Sequence, residues 1–285
     1  MIKTDVVGSG VTAVFDDKTG VIELYSNGGT LHSYWLERAN IKRSSIKEIR
    51  VADGRVYLPK YYGAVSVFEN LENVKSIDLD NFDTSMMTEM QNMFKGCGEL
   101  TTIDFSGIDT SNVTNMKCMF YRCCKIRSLN FSGIDTSKVT DMSCMFAQCH
   151  SIKRLDLSGF DTSKVTAMKG MFLRCDDLED INCSGFNTSK VKNMRGMFAK
   201  CQSIRRLQLD NFDISAANDI RSMFEGCKNL IEVDMKKADL SRTKDMRKMF
   251  SGCRRLSLIR MNTVVNAAAM TNGIFNGCGD IQFIQ

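Results

Sequence analysis

A phenylalanine recurs every 26 residues through most of this chain, at Phe94, Phe120, Phe146, Phe172, Phe198, Phe224 and Phe250, and then after 25 at Phe275. Phe68 carries the register one step upstream. Three residues after each comes a cysteine, Cys97, Cys123, Cys149, Cys175, Cys201, Cys227, Cys253 and Cys278, with Leu71 in that slot of the first partial copy. Four residues before the ring sits Met90, Met116, Met142, Met168, Met194 or Met246, replaced once by Ile220. Self-similarity at a fixed period of this size is the signature of a solenoid. No single unit can bury its apolar face alone, so stability has to come from stacking neighbours.

Each copy holds two periodicities. Over residues 140–149 the apolar Met142, Met145, Phe146 and Cys149 fall at i, i+3, i+4 and i+7, which predicts a short helix with Thr140 as its N-cap. Gly96, Gly226, Gly252 and Gly277 lie two residues after the ring, where a left-handed residue would end that helix. Leu155 and Leu157 alternate with Asp156, which predicts a short strand with the leucines inward. Residues 159–163 carry the Gly, Asp and Ser of a turn. A strand, a turn and a short helix in about 20 to 29 residues describe a leucine-rich repeat. The expected fold is therefore an α/β repeat solenoid, a curved right-handed leucine-rich repeat horseshoe with a parallel concave sheet and short convex helices.

About eight 26-residue units run from Val74 to Cys278, and Ile281 and Ile284 begin a further strand. The last copy lacks the Asp-Thr-Ser turn. Residues 1–66 do not repeat. A hairpin over residues 11–25 around residues 16–20, short strands over 46–51 and 55–58, and Trp35 between them form a small β-rich N-terminal cap over the solenoid of residues 67–285.

The run Leu-Asp-Leu-Ser-Gly-Phe-Asp-Thr-Ser-Lys-Val-Thr-Ala-Met-Lys-Gly-Met-Phe-Leu-Arg-Cys over residues 155–175 closely resembles the repeat of BspA-like bacterial leucine-rich repeat proteins. The lead-in Val56, Tyr57, Leu58, Pro59 resembles that family's too, so the likeness covers residues 56–285. It implies a leucine-rich repeat solenoid, displayed at the cell surface and used for binding proteins, with no shared catalytic site.

The 12 cysteines are read first as small buried thiols packing the core. Cys183 takes the inner strand position of Leu157, and Cys118 and Cys144, on the outer side of the expected helices, are the candidates for redox coupling. No Cys-x-x-Cys pair has partners at zinc spacing, so neither metal nor cofactor is expected. The only imidazoles, His32 and His150, have no acidic orienter at a suggestive spacing, and no catalytic motif occurs, so the expectation is not an enzyme. Unpaired thiols in this number and an N-terminus without a basic and apolar leader point to the cytoplasm, or to the cell surface if an export signal has been removed. No stretch approaches the length of a membrane span.

Charge locates the candidate partner surfaces. An outward strand column of Asp78, Asp104, Asn130, Asp156, Asn182, Gln208, Asp234 and Arg260, flanked by Asp180, Arg206 and Glu232, either binds a basic partner or satisfies strand-end amides in every copy, and the second reading is favoured. Residues 188–285 carry a net +8, residues 1–187 a net −3. Arg205 and Arg206, Lys236 and Lys237, Arg247 and Lys248, and Arg254 and Arg255 form the basic end. A protein partner is expected, on the concave sheet or on these basic units. Nucleic acid is less favoured, since no aromatics interleave with the cations. Two further readings are an inhibitor or effector, possibly mobile-element encoded, that blocks a nucleic-acid-binding machine, and a surface adhesin. An uncovered C-terminal sheet edge suggests a homodimer.

Overall fold

The computed structural model describes residues 2–59, 67–261 and 268–284. The expected boundary at residue 66, and the site of the lost turn at 262–267, lie outside the described residues. The chain forms two compact units, Met1–Lys138 and Val139–Gln285.

In the first unit, β1 (Ile2–Asp16) and β2 (Val21–Leu31) make the expected hairpin, longer than its apolar alternation suggested. Asp16 closes its turn by accepting from the Lys18 amide and the Thr19 hydroxyl. β2 then serves two neighbours, pairing in parallel with β3 (Glu48–Asp53) along its first half and with β4 (Val56–Tyr57) at Thr30. β3 continues to β5 (Ser76–Ile77) and β4 to β6 (Phe82–Asp83), so the hairpin covers the edges of two strand columns at once. Between β2 and β3 lies α1 (Trp35–Arg38), a single turn whose buried Trp35 donates its indole N–H to the Val67 carbonyl at 3.1 Å. β7 (Thr102–Asp104) and β8 (Ser128–Asn130) follow as a parallel pair.

The second unit repeats the parallel pattern. β9 (Arg154–Asp156) pairs with β10 (Asp180–Asn182), and β11 (Arg206–Gln208), β12 (Glu232–Met235), β13 (Leu258–Met261) and β14 (Gln282–Ile284) form a four-stranded parallel sheet. β14 is the further strand the sequence begins. Leu155 and Leu157 are buried and Asp156 is exposed, as period-two alternation requires. Both units are thus parallel β-solenoid.

Among the described residues the convex helices of the sequence reading are not there. Across residues 168–175 the amides of Met171, Leu173 and Cys175 donate to carbonyls three residues back, closing successive turns. The amides between them, on Met168, Gly170, Phe172 and Arg174, donate to the carbonyls of Asn193, Arg195, Met197 and Ala199 in the next rung, at 2.8 to 3.0 Å. This alternation needs a left-handed residue two before and two after each ring, and those positions have it: Gly170 at φ 61°, Arg174 at 59°, Gly196 at 61° and Lys200 at 63°. A two-turn helix would be marginal in any case. A ladder of turns satisfies the same amides against the neighbouring rung, which ties rung to rung where a helix would be closed on itself. Thr140 therefore has no helix to cap; its carbonyl accepts from the hydroxyl and amide of Thr166 in the next rung.

Inside the second unit the rings stack in a column, Phe146 to Phe172 at 5.7 Å, Phe172 to Phe198 at 5.2 Å, Phe198 to Phe224 at 5.8 Å and Phe224 to Phe250 at 5.1 Å between centroids. Met168, Met171, Met194 and Met197 pack beside them, all buried. Thr162 anchors the opposite turn, its hydroxyl donating to the Asn187 carbonyl and accepting from the Asn187 amide. The first unit carries its own stack, Phe68 to Phe94 to Phe120 at 5.6 and 5.5 Å.

Candidate functional site

The cysteine ladder is the repeat's most regular chemistry, and its role is structural. Each thiol donates to the carbonyl of the ring residue one rung back: Cys97 to Phe68 and Cys123 to Phe94 in the first unit, and Cys175 to Phe146, Cys201 to Phe172, Cys227 to Phe198, Cys253 to Phe224 and Cys278 to Phe250 in the second, all at 3.0 to 3.1 Å. Except at Phe68, the same carbonyl accepts from the cysteine amide of its own rung, so both of its lone pairs are used. Burial pushes the Cys97 and Cys183 thiols up to about 12 and those of Cys175 and Cys201 well above the ordinary range, the opposite of an activated nucleophile. Cys118 and Cys144 are half-buried at left-handed positions in the turn ladder, since there is no helix to carry them.

Of the acidic column, Asp78, Asp104 and Asp156 each accept from the amide two residues on, at Asp80, Ser106 and Ser158, and Asn130 and Asn182 do the same. These hydrogen bonds hold the Asp104 and Asp156 carboxyls below their usual range. The side chains thus close Asx turns at strand ends, as the favoured reading has it. Asp234 makes the same turn bond, accepting from the Lys236 amide at 3.3 Å, but it is buried, with the Lys236 ammonium at 3.8 Å and Arg260 at 3.9 Å.

Around it the charges pair across the strands. Glu232 lies 3.7 Å from Arg206 on one neighbouring strand and 3.0 Å from Arg260 on the other. Asp180 stands in register beside Arg154, both exposed. Arg247 grips Asp245 in its own turn with two bonds, at 2.9 and 2.7 Å, and so does not belong to a free basic stripe. What remains is Arg205, Lys237, Lys248, Arg254 and Arg255, all exposed and without a carboxylate in ion-pair reach among the described residues.

Two features escaped the sequence reading. His150 does have an acidic partner, Asp176, 2.8 Å away and 26 residues on, because stacking brings equivalent positions of adjacent rungs together. On the turn-ladder face, a shallow groove opens over Gly170 and Gly196, rimmed by Lys169, Arg195 and Lys200.

The last rung leaves Met270, Phe275, Phe283 and Ile284 exposed. Its amides at Thr271, Gly273, Phe275 and Gly277 meet no acceptor among the described residues, because forward donation ends there. Among the described residues no group of three His, Cys, Asp or Glu could hold a metal ion, and no helix is long and apolar enough to cross a membrane.

Parallel strands stacked one per 26-residue rung, with apolar columns inside and varied polar columns outside, define a parallel β-solenoid of the leucine-rich repeat kind. The chain belongs to the family described as "Mycoplasma protein of unknown function, DUF285", which matches residues 64–173 and 150–262. Among solved structures, a leucine-rich repeat protein from Bacteroides ovatus is similar at 14% identity and a TM-score of 0.54, over 97% of this chain and 79% of that one. A leucine-rich repeat protein of T. pallidum is 15% identical over 95% of this chain and 87% of its own, with a TM-score of 0.37. The BspA-like resemblance of the repeat agrees with the family match and with the Bacteroides ovatus fold. No curated protein matches the chain.

Proposed function

We propose that this chain is a non-enzymatic protein-binding scaffold, and that its partner presents acidic groups to the strand-side surface of residues 139–285. One observation carries the reading. Glu232 is held by Arg206 and Arg260, and Glu179 by Lys153, whereas Arg205, Lys237, Arg254 and Arg255, beside the strands, are exposed with no carboxylate in ion-pair reach among the described residues. Unmatched exposed cations on a rigid sheet steer and select an oppositely charged partner. The Met, Phe, Cys and Thr of the repeat are consumed by the core, which leaves specificity to the strand and pre-strand residues that differ from copy to copy.

The test is affinity capture from lysate of the native source, with mass spectrometry, before and after nuclease. A stoichiometric protein that survives nuclease, and is lost with Arg254→Glu and Arg255→Glu while folding is retained, supports the proposal. Capture indifferent to those changes moves the interface elsewhere on the unit. Nucleic acid alone, released steeply by salt, overturns it.

A further inference from the structure

Three residues before Phe172, Phe198, Phe224 and Phe250 the turn ladder carries a column of Lys169, Arg195, Arg221 and Arg247. The two later members are held within the fold. Arg221 lies 3.1 Å from Asp219 of its own turn and 3.6 Å from Asp245, and Arg247 grips Asp245. The two earlier members lack a carboxylate in their own turn, because the position that holds Asp219 and Asp245 holds Ala167 and Asn193 in their rungs. Asn193 keeps the turn bond, accepting from the Arg195 amide at 3.0 Å, but brings no charge. Lys169 and Arg195 are exposed and lack a carboxylate in ion-pair reach among the described residues.

Side chains are missing from the ladder at the same two rungs. Two residues before the ring the column reads Cys144, Gly170, Gly196, Ser222 and Lys248, all at φ between 55° and 62°. Cysteine, serine and lysine take that conformation here, so the backbone alone does not demand glycine at 170 and 196. What the glycines do is remove side chains: a Cβ on Gly170 would meet the Cys144 sulfur at 3.4 Å and Leu173 at 3.6 Å, and one on Gly196 would meet Ala199 at 3.7 Å. The result is the groove, floored by Gly170, Gly196 and Leu173 and rimmed by Lys169, Arg195 and Lys200. Glu225 stands on its far rim and lies beyond ion-pair distance of all three cations.

We infer that this groove binds an extended acidic peptide segment of another protein, whose carboxylates take the places that Asp219 and Asp245 fill beside Arg221 and Arg247. Rungs lie about 4.8 Å apart, and alternate side chains of an extended chain about 6.6 Å apart, a mismatch that flexible Lys and Arg side chains absorb. A segment of the pattern acidic, apolar, acidic running from rung to rung puts its carboxylates on Lys169 and Arg195 and keeps its backbone over the glycine floor. Charge-assisted bonds to these cations supply orientation as well as affinity. The groove is separate from the strand-side cations, so either surface can fail its test without the other.

The experiment uses the full chain and a fluorescein-labelled peptide of alternating Asp and Leu, with alternating Asn and Leu as control, followed by fluorescence anisotropy. Binding of the Asp peptide alone is expected. Ala167→Asp with Asn193→Asp restores the fold's own carboxylates without touching a cation, and is expected to weaken binding at least tenfold. Gly170→Asn with Gly196→Asn fills the floor with a residue that tolerates the left-handed region, and is expected to do the same. An Asn peptide that binds equally, or Asp-peptide binding unchanged by Ala167→Asp with Asn193→Asp, overturns the inference. So does a single-stranded oligonucleotide that binds more tightly than the Asp peptide.

Discussion

The thiol of Cys201 donates to the carbonyl oxygen of Phe172, 3.1 Å away and 29 residues earlier in the chain, so one side chain joins two rungs through the backbone. Cys201→Ala removes that donor and a buried sulfur, and Cys201→Ser keeps a donor in its place. Alanine is expected to cost about 1 to 2 kcal/mol, with serine nearer to the parent protein. Urea midpoints of the three proteins decide it. An alanine variant as stable as the parent would mean the thiol bond contributes nothing.

Phe172 is buried between Phe146 and Phe198, whereas Phe275 stacks on Phe250 at 5.6 Å and is 41% exposed. Phe172→Ala should cost about 3 to 5 kcal/mol, because the ring is lost from two interfaces and the surrounding rungs cannot collapse into the space. Phe275→Ala should cost clearly less. Thermal melts of both variants measure the difference, and equal losses would contradict the stacking order described.

Asp104, Asp156 and Asp161 accept from backbone amides two residues on, which lowers their carboxyl pKa values in the folded state. A lowered folded value adds stability that is complete above the unfolded carboxyl value of about 4 and is lost as pH falls through the folded one. Urea midpoints should therefore stay level from neutral pH to about 5 and fall below about 4. Asp104→Asn with Asp156→Asn keeps both turns, since Asn130 and Asn182 already make the same bond, and should flatten the acid fall. A fall unchanged by the pair of substitutions would place the acid sensitivity in other carboxylates.

The strands and the core were legible because Leu155 and Leu157 alternate with period two and Phe172 repeats with period 26, and each periodicity has one structural meaning. The turn ladder was not, because inward positions at i, i+3, i+4 and i+7 belong to it as well as to a helix. The sign was present: Gly170, Gly196 and Gly273 stand two before the ring, in the middle of what would be a helix, where each would cost about 1 kcal/mol against alanine. The turn role of Asp156 was readable from its place at a strand end. The pairing of Glu232 with Arg206 and Arg260 was missed because it joins residues one rung apart, a neighbourhood that exists only once the rungs are stacked. His150 and Asp176 were missed for the same reason.

The thiol bonds, the ring column and the groove over Gly170 and Gly196 all depend on the Met-Phe segments being ladders of turns. Far-ultraviolet circular dichroism of the full chain separates the two possibilities most directly, since the described residues hold one four-residue α-helix whereas the helical reading puts one in every rung. A spectrum dominated by strand and turn, without the double minimum of α-helix, is expected. A strong helical double minimum in the folded protein would contradict the ladder and everything built on it.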